Sequence, residues 1–163
     1  MVIRTMIFYS DEQPSVVVIK GMFGIGKTTL AREIYNHPNV VKRFEYRAWV
    51  CVSNVLTMKE IVIKLLDRLS SVNGKSMQSS SYFERVNNQL LQGFLGDHLE
   101  ELRYFIVLDD LPKHIQLRSF LLALKAQGYG KSKLVVTSHM THKDLKTNSH
   151  DVHKMEPWDP IMS

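Results

Sequence analysis

The chain has 163 residues, of which 44% are hydrophobic and 23% charged, and these values suit one folded domain with one core. No apolar stretch approaches the roughly 20 residues that cross a bilayer, so we expect no membrane span. Cys51 is the single cysteine, which excludes an internal disulfide and favours the cytoplasm, with the nucleus as an alternative. The net charge of +5 comes from scattered basic residues, so we expect no nucleic-acid partner.

A glycine-rich segment follows the first predicted strand. Residues 15–19 form a short β-branched apolar run, which predicts a strand buried on both faces. The next segment, Gly21-Met22-Phe23-Gly24-Ile25-Gly26-Lys27-Thr28-Thr29, fits the pattern G-x-x-x-x-G-K-[ST] of a phosphate-binding loop. A helix predicted over 29–35 would add the partial positive charge of its N-terminus. The sequence therefore predicts nucleotide binding at this loop.

The residue types in the loop suit separate tasks. Glycines let successive backbone N–H groups turn toward phosphate oxygens. Lys27 would place a positive charge beside the β- and γ-phosphates, where it also acts in catalysis, and the Thr28 hydroxyl is a hard oxygen ligand for Mg²⁺. The predicted nucleotide-binding residues of the loop are Gly21, Met22, Gly24, Ile25, Gly26, Lys27, Thr28 and Thr29.

Predicted strands and helices alternate through the rest of the chain. The predicted strands cover 47–53, 104–108 and 134–137, and a fifth short strand begins within 153–155; the predicted helices cover 58–69, 82–102 and 115–126. Thr57 and Glu60 have the spacing of a capping box, and the serine-rich segment 70–81 is predicted to be a mobile loop. Alternation of this kind indicates an α/β fold of three layers with a mostly parallel central sheet.

Two aspartates end the predicted strand at 104–108. Ligands of parallel α/β sheets bind at the carboxyl ends of the strands, where the phosphate loop also lies. Magnesium takes one or two carboxylates and keeps several waters. We therefore predict that Asp109 binds Mg²⁺, directly or through water, and that Asp110 orients or deprotonates an attacking water.

Four blocks of the sequence, in order, resemble the NB-ARC domain of plant NLR disease-resistance proteins. They are residues 21–31, 44–53, 104–110 and 131–138, and the second fits the family pattern F-x-x-x-x-W-V-x-V-S. The resemblance implies a P-loop switch that binds ADP at rest and ATP when active, with Mg²⁺ and slow hydrolysis. It also implies self-association or contact with other domains of the receptor.

The resemblance also implies that the strand at 134–137 lies between the phosphate-loop strand and the strand ending at Asp109. That order would place Thr137 and His139 beside the γ-phosphate as nucleotide-binding residues. The family usually has Thr-Thr-Arg where this chain has Thr137-Ser138-His139. Arginine is always charged and presents a fixed fork of donors, whereas histidine is shorter. We therefore expect weaker discrimination of ATP from ADP, which a changed affinity ratio in His139→Arg would test.

The chain ends soon after residue 155, before the GLPL and MHD motifs that the family carries. We therefore expect residues 1–163 to be one nucleotide-binding domain, a fragment of a larger NB-ARC unit. Two alternatives to a switch remain open. A small P-loop kinase would need an arginine-bearing lid, and the arginines here are scattered. A non-catalytic decoy, which keeps the fold and binds partners, would be consistent with His139.

Overall fold

Five parallel strands form the centre of the computed structural model, which describes residues 15–54, 57–73, 80–100, 102–127, 132–139 and 151–154. The strands are β1 (Ser15–Lys20), β2 (Tyr46–Cys51), β3 (Tyr104–Asp109), β4 (Lys133–Ser138) and β5 (Asp151–Lys154). Their order across the sheet is β2-β3-β4-β1-β5, and every pairing is parallel. The predicted position of β4 between β1 and β3 is therefore confirmed.

Helices cover both faces of this sheet. They are α1 (Lys27–Tyr35), α2 (Pro38–Arg43), α3 (Met58–Asn73), α4 (Ser80–Phe83), α5 (Asn88–Leu99) and α6 (Arg118–Gln127). Among the described helices, none combines the length and the apolar character that a membrane span requires. The central sheet with helices on both faces confirms the predicted α/β P-loop architecture of three layers.

The strands contribute alternate residues to two separate cores. One face of the sheet packs against α3, α5 and α6 through Val16, Val18, Tyr46, Ala48, Val50, Tyr104, Ile106, Leu108, Leu134 and Val136. The other face packs against α1 and α2 through Val17, Ile19, Phe105, Val107 and Val135. Strands buried on both faces explain why these segments read as continuous apolar runs rather than alternating ones.

A capping box fixes the start of α3, as the sequence predicts. The Glu60 backbone N–H donates to Thr57 Oγ1 at 3.2 Å, and the Thr57 N–H donates to Glu60 Oε2 at 3.0 Å. The helix continues to Asn73, four residues beyond its predicted end. Part of the segment predicted as a loop over 70–81 is therefore helical, and 80–81 belong to α4; the remaining 74–79 lie outside the described residues.

The single helix predicted over 82–102 is wrong. A turn separates α4 from α5, because Asn87 acts as an N-cap whose Oδ1 accepts a hydrogen bond from the Gln89 N–H at 2.8 Å. The unpredicted α2 also has a local cause: Pro38 occupies its first position, and His37 Nδ1 accepts from the Asn39 N–H at 3.2 Å.

Three further boundaries differ from the prediction. A short 3₁₀ turn at Val52–Asn54 ends β2 at Cys51 rather than at residue 53. The α6 helix begins at Arg118 rather than at residue 115, because a turn closed by Ile115 N–H and Pro112 O at 3.2 Å precedes it. The fifth strand spans Asp151–Lys154 and thus begins earlier than predicted.

Two buried tyrosines predict a loss of stability at alkaline pH. Burial raises the pKa of both Tyr104 and Tyr46. For Tyr46, the charge of Arg68 offsets part of this increase. The Tyr46 hydroxyl also donates to Leu65 O at 2.6 Å. Both phenols stay protonated in the folded state at pH values at which they ionise in the unfolded chain. Their contribution to the free energy of unfolding is therefore complete below the unfolded pKa of about 10 and falls as the pH rises above it.

We expect the free energy of unfolding to decline by up to about 1.4 kcal/mol per pH unit for each of these tyrosines above pH ~10. Urea unfolding measured at several pH values would give this slope. Tyr104→Phe should have a shallower slope than wild type. A slope in Tyr104→Phe equal to that of wild type would contradict the conclusion that burial raises the pKa of Tyr104.

Candidate functional site

The parallel register brings the ends of four strands to one edge of the sheet. Cys51 at the end of β2 pairs with Asp109 at the end of β3, and Lys20 at the end of β1 pairs with Ser138 at the end of β4. The glycine-rich loop leaves this edge directly after β1. Its first N–H, from Gly21, donates to Ser138 O at 3.2 Å and holds the loop against β4.

Two glycines give the loop its shape. Gly24 has a φ of 75° and Gly26 a φ of 102°, both in the left-handed region that glycine adopts without steric cost. Gly26 is the N-cap of α1, and its carbonyl accepts the N–H of Leu30 at 2.9 Å. The first N–H groups of α1 have no partner within the helix, and they carry its positive end. The loop thus presents donors where an anion can bind.

Lys27 is the cation of this site. Its side chain is 8% exposed, and Nζ donates to the carbonyl oxygen of Met22 at 2.6 Å. The ammonium group therefore bends back over its own loop, with the ring centroid of Phe23 at 5.9 Å. A bound phosphate oxygen would compete with the Met22 carbonyl for this charge.

Asp109 joins the loop to the ends of β3 and β4. Asp109 is 5% exposed as a residue, and its carboxylate accepts hydrogen bonds from two hydroxyl groups. Thr28 Oγ1 lies 2.9 Å from Oδ1 and 3.1 Å from Oδ2, and Thr137 Oγ1 donates to Oδ1 at 2.5 Å. Thr28 and Asp109 thus place hard oxygen atoms side by side, which is the donor set that suits Mg²⁺.

Asp110 has an unusual backbone conformation. Its φ of 58° is the only positive value among the described residues other than glycine, a conformation that aspartate tolerates better than most. Its N–H donates to Thr137 Oγ1 at 2.8 Å, and Leu111 N–H donates to Thr137 O at 2.9 Å. The Asp110 side chain is 39% exposed, so water can reach its carboxylate.

Thr137 therefore holds both aspartates in place. Its hydroxyl donates to Asp109 and accepts from the Asp110 N–H, and its side chain is buried. A hydroxyl has one donor and two acceptor positions, so its only proton is already committed to Asp109. The Thr137 hydroxyl thus links the carboxylate of Asp109 to the backbone of Asp110.

A cavity of about 320 Å³ gathers most of the predicted residues. Its lining includes Gly24, Gly26, Lys27, Thr28, Thr29, Asp109, Asp110 and Thr137. Gly21, Met22 and Ile25 belong to the loop but do not line the cavity. His139 also lies outside the lining; its ring packs on Phe23 and its Nδ1 is 3.9 Å from Asp110 Oδ1.

Within the described part of the chain, three further residues line the cavity without having been predicted to do so: Phe23, Cys51 and Ser53. The position of Cys51 and Ser53 could have been inferred, because β2 ends at the same edge of the parallel sheet as β3. Cys51 Sγ is 3.2 Å from Ser53 Oγ. Phe23 occupies a variable position of the loop pattern, and that pattern does not indicate which way a side chain there will turn.

The family model for the NB-ARC domain matches residues 2–159. The chain belongs to the NB-ARC family. Disease resistance RPP8-like protein 3 of Arabidopsis thaliana is 44% identical to this NB-ARC domain over 98 residues, which cover 60% of the chain. The aligned part is 10% of the length of that relative, so the chain corresponds to a small portion of it.

Solved structures with low sequence identity share the fold of this NB-ARC domain. A Signal Transduction ATPase with Numerous Domains from Pyrococcus horikoshii, which has a tetratricopeptide repeat sensor, superimposes with a TM-score of 0.63 at 19% identity. That match covers 91% of this chain and 22% of that one. The ORC2 protein of Aeropyrum pernix, described as ADPNP and ADP complexes, has a TM-score of 0.51 at 19% identity. This match covers 77% of this chain and 35% of the ORC2 chain.

Proposed function

We propose that this NB-ARC domain binds ADP and ATP in the cavity and serves as the nucleotide-dependent switch of an NLR-type receptor in plant defence. One observation carries the proposal. Lys27, Thr28 and Asp109, which are up to 82 positions apart in the sequence, meet in one cavity at the N-terminus of α1. A cation, a helix N-terminus and hard oxygen ligands in one place suit a polyphosphate with Mg²⁺.

Each group would bind a different part of the phosphate tail. The N–H groups of the loop and of the first turn of α1 would donate to phosphate oxygens. Lys27 would exchange its bond with Met22 O for a bond with the β- or γ-phosphate. Thr28 and Asp109 would hold Mg²⁺, which offsets the charge of the phosphates when bound.

Hydrolysis in this domain should be slow. Asp110 has a half-exposed carboxylate in the cavity and is the candidate for orienting or deprotonating an attacking water. Arginine, which has a permanent charge and a fork of donors for phosphate oxygens, is replaced at position 139 by histidine. We therefore propose a slow or residual ATPase rather than a rapid enzyme.

The wider role follows from the family. The chain covers 10% of its RPP8-like relative, so contacts with other domains of a receptor, or self-association, form part of the proposal. The compartment that we propose is the cytoplasm, with the nucleus as an alternative.

Titration calorimetry with ADP and with ATP, each with and without Mg²⁺, tests the proposed function, together with phosphate release. We expect micromolar dissociation constants and a turnover far below the ~1–100 s⁻¹ of kinases. Rapid phosphate transfer to an added metabolite would favour the kinase alternative instead. The absence of heat with either nucleotide would contradict the proposal and would leave the non-catalytic decoy as the remaining alternative.

The Mg²⁺ assignment predicts a selective defect in Asp109→Asn. The amide keeps the shape of the side chain and one acceptor, but it lacks the charge that Mg²⁺ prefers. The ratio of ADP affinities with and without Mg²⁺ should therefore fall to about one, while binding without Mg²⁺ persists. Asp97→Asn, an exposed change on α5, is the matched control. An undiminished Mg²⁺ effect in Asp109→Asn would contradict the role of Asp109.

A further inference from the structure

Two aromatic rings meet beside the cavity. The ring of Phe23, in the glycine-rich loop, lies with its centroid 4.0 Å from the ring centroid of His139, at an interplanar angle of 33°. The two residues belong to different segments, since His139 directly follows β4. Phe23 is 72% exposed, so the shielding of apolar core does not account for its position.

The contact borders the end of the cavity where a third phosphate would lie. Phe23 lines the cavity together with Asp109 and Asp110, and its ring centroid is 5.9 Å from Lys27 Nζ. The lysine of such a loop reaches the β- and γ-phosphates. Under the proposed function Asp110 orients the water that attacks the γ-phosphate, and His139 Nδ1 is 3.9 Å from Asp110 Oδ1, so the contact lies on the γ-phosphate side of the cavity.

The charges at this end also disfavour a third phosphate. The carboxylate of Asp110, which is not a proposed Mg²⁺ ligand, adds a negative charge to the cavity lining. His139 Nδ1 is directed to Asp110 Oδ1 at 3.9 Å and is buried without a hydrogen-bond partner among the described residues. The imidazole thus has Phe23 against its face and Asp110 near its polar edge. A phosphate oxygen that approached Nδ1 would have to take the place of Asp110.

We propose that Phe23 is a specificity-determining residue, and that its contact with His139 makes a nucleoside diphosphate the preferred ligand over the triphosphate. The inference rests on the proposed function. It concerns the Phe23 contact in addition to the arginine that is absent at position 139, whose loss alone would bring the two affinities closer together. An ADP molecule leaves the contact intact, whereas ATP must displace it. A contact between two aromatic rings contributes about 0.5–1.5 kcal/mol beyond its buried area, which corresponds to roughly 2- to 12-fold in relative affinity.

Calorimetric titration of the 163-residue chain with Mg²⁺-ADP and Mg²⁺-ATP tests this proposal. Wild type should bind ADP more tightly than ATP, and Phe23→Ala should shift the ratio toward ATP by roughly 2- to 12-fold. The double variant Phe23→Ala/His139→Ala should shift it less than the two single changes added together, because the first change already abolishes the contact. Tyr82→Ala, an equivalent change of an exposed aromatic residue outside the cavity, should keep the wild-type ratio.

The possible failures can be told apart. If wild type binds both nucleotides and Phe23→Ala keeps the wild-type ratio, the role of Phe23 is overturned and the proposed function stands. Strict additivity of the Phe23 and His139 changes would also overturn it, since the effects would then arise without the contact. If wild type binds neither nucleotide, the proposed function fails and this inference fails with it.

Discussion

Lys27→Ala should lose most of the affinity for ADP and ATP. Among the described residues that line the cavity, Lys27 is the one basic side chain, and alanine removes both its charge and its hydrogen bonds. Hydrogen bonds to charged groups contribute about 1.5–3 kcal/mol, which corresponds to roughly a 10- to 150-fold loss of affinity. Calorimetric titration of the variant measures this loss directly.

Lys64→Ala is the matched control, because Lys64 is an exposed lysine on α3 that does not line the cavity. It should bind ADP as wild type does. Thermal unfolding of both variants should stay close to wild type, since Lys27 makes one hydrogen bond, to Met22 O, that the folded chain would lose. An ADP affinity in Lys27→Ala equal to that of wild type would show that the nucleotide binds elsewhere.

Phe105→Ala should have the largest effect on stability. Phe105 is fully buried in β3 and contacts the rings of Phe44 and Tyr35, whose centroids lie 5.2 and 6.2 Å from its own. Replacing a buried phenylalanine with alanine leaves a cavity and costs about 3–5 kcal/mol. The midpoint of thermal unfolding of a domain of this size changes by about 2–4 °C per kcal/mol, so we expect this midpoint to fall by roughly 6–20 °C.

Phe23→Ala is the control for this change because it is the same substitution at a residue that is 72% exposed. The loss of stability in Phe23→Ala should stay below about 1.5 kcal/mol, the upper contribution of an aromatic pair. Urea and thermal unfolding followed by circular dichroism would give both values. Similar losses in Phe105→Ala and Phe23→Ala would contradict the described core between the sheet and α1.

Local chemistry explains why most of the fold could be predicted from the sequence. The β1 and β3 segments are buried on both faces, so their apolar residues form unbroken runs that indicate strands. The phosphate loop was predictable because its glycines and Lys27 have fixed spacing. The position of β4 came instead from the resemblance to the NB-ARC family, since no local pattern specifies the order of strands.

The largest error arose where a single polar residue outweighed a periodic pattern. Apolar residues recur at helical spacing through 82–102, yet the Asn87 side chain caps a new helix and divides the segment. The contact between Phe23 and His139 could not be predicted, because it joins a variable loop position to the residue after β4. The hydrogen bonds of Thr137 to Asp109 and Asp110 likewise depend on the sheet register.

The account depends on the binding of a polyphosphate by the backbone of the glycine-rich loop. Spectra of ¹⁵N-labelled chain, recorded as Mg²⁺-ADP is added, observe that backbone directly. We predict that the amide signals of residues 24–29 shift most and saturate, while those of α5 remain in place. Unchanged signals from the loop at millimolar ADP, or shifts confined to residues outside the cavity, would contradict the account.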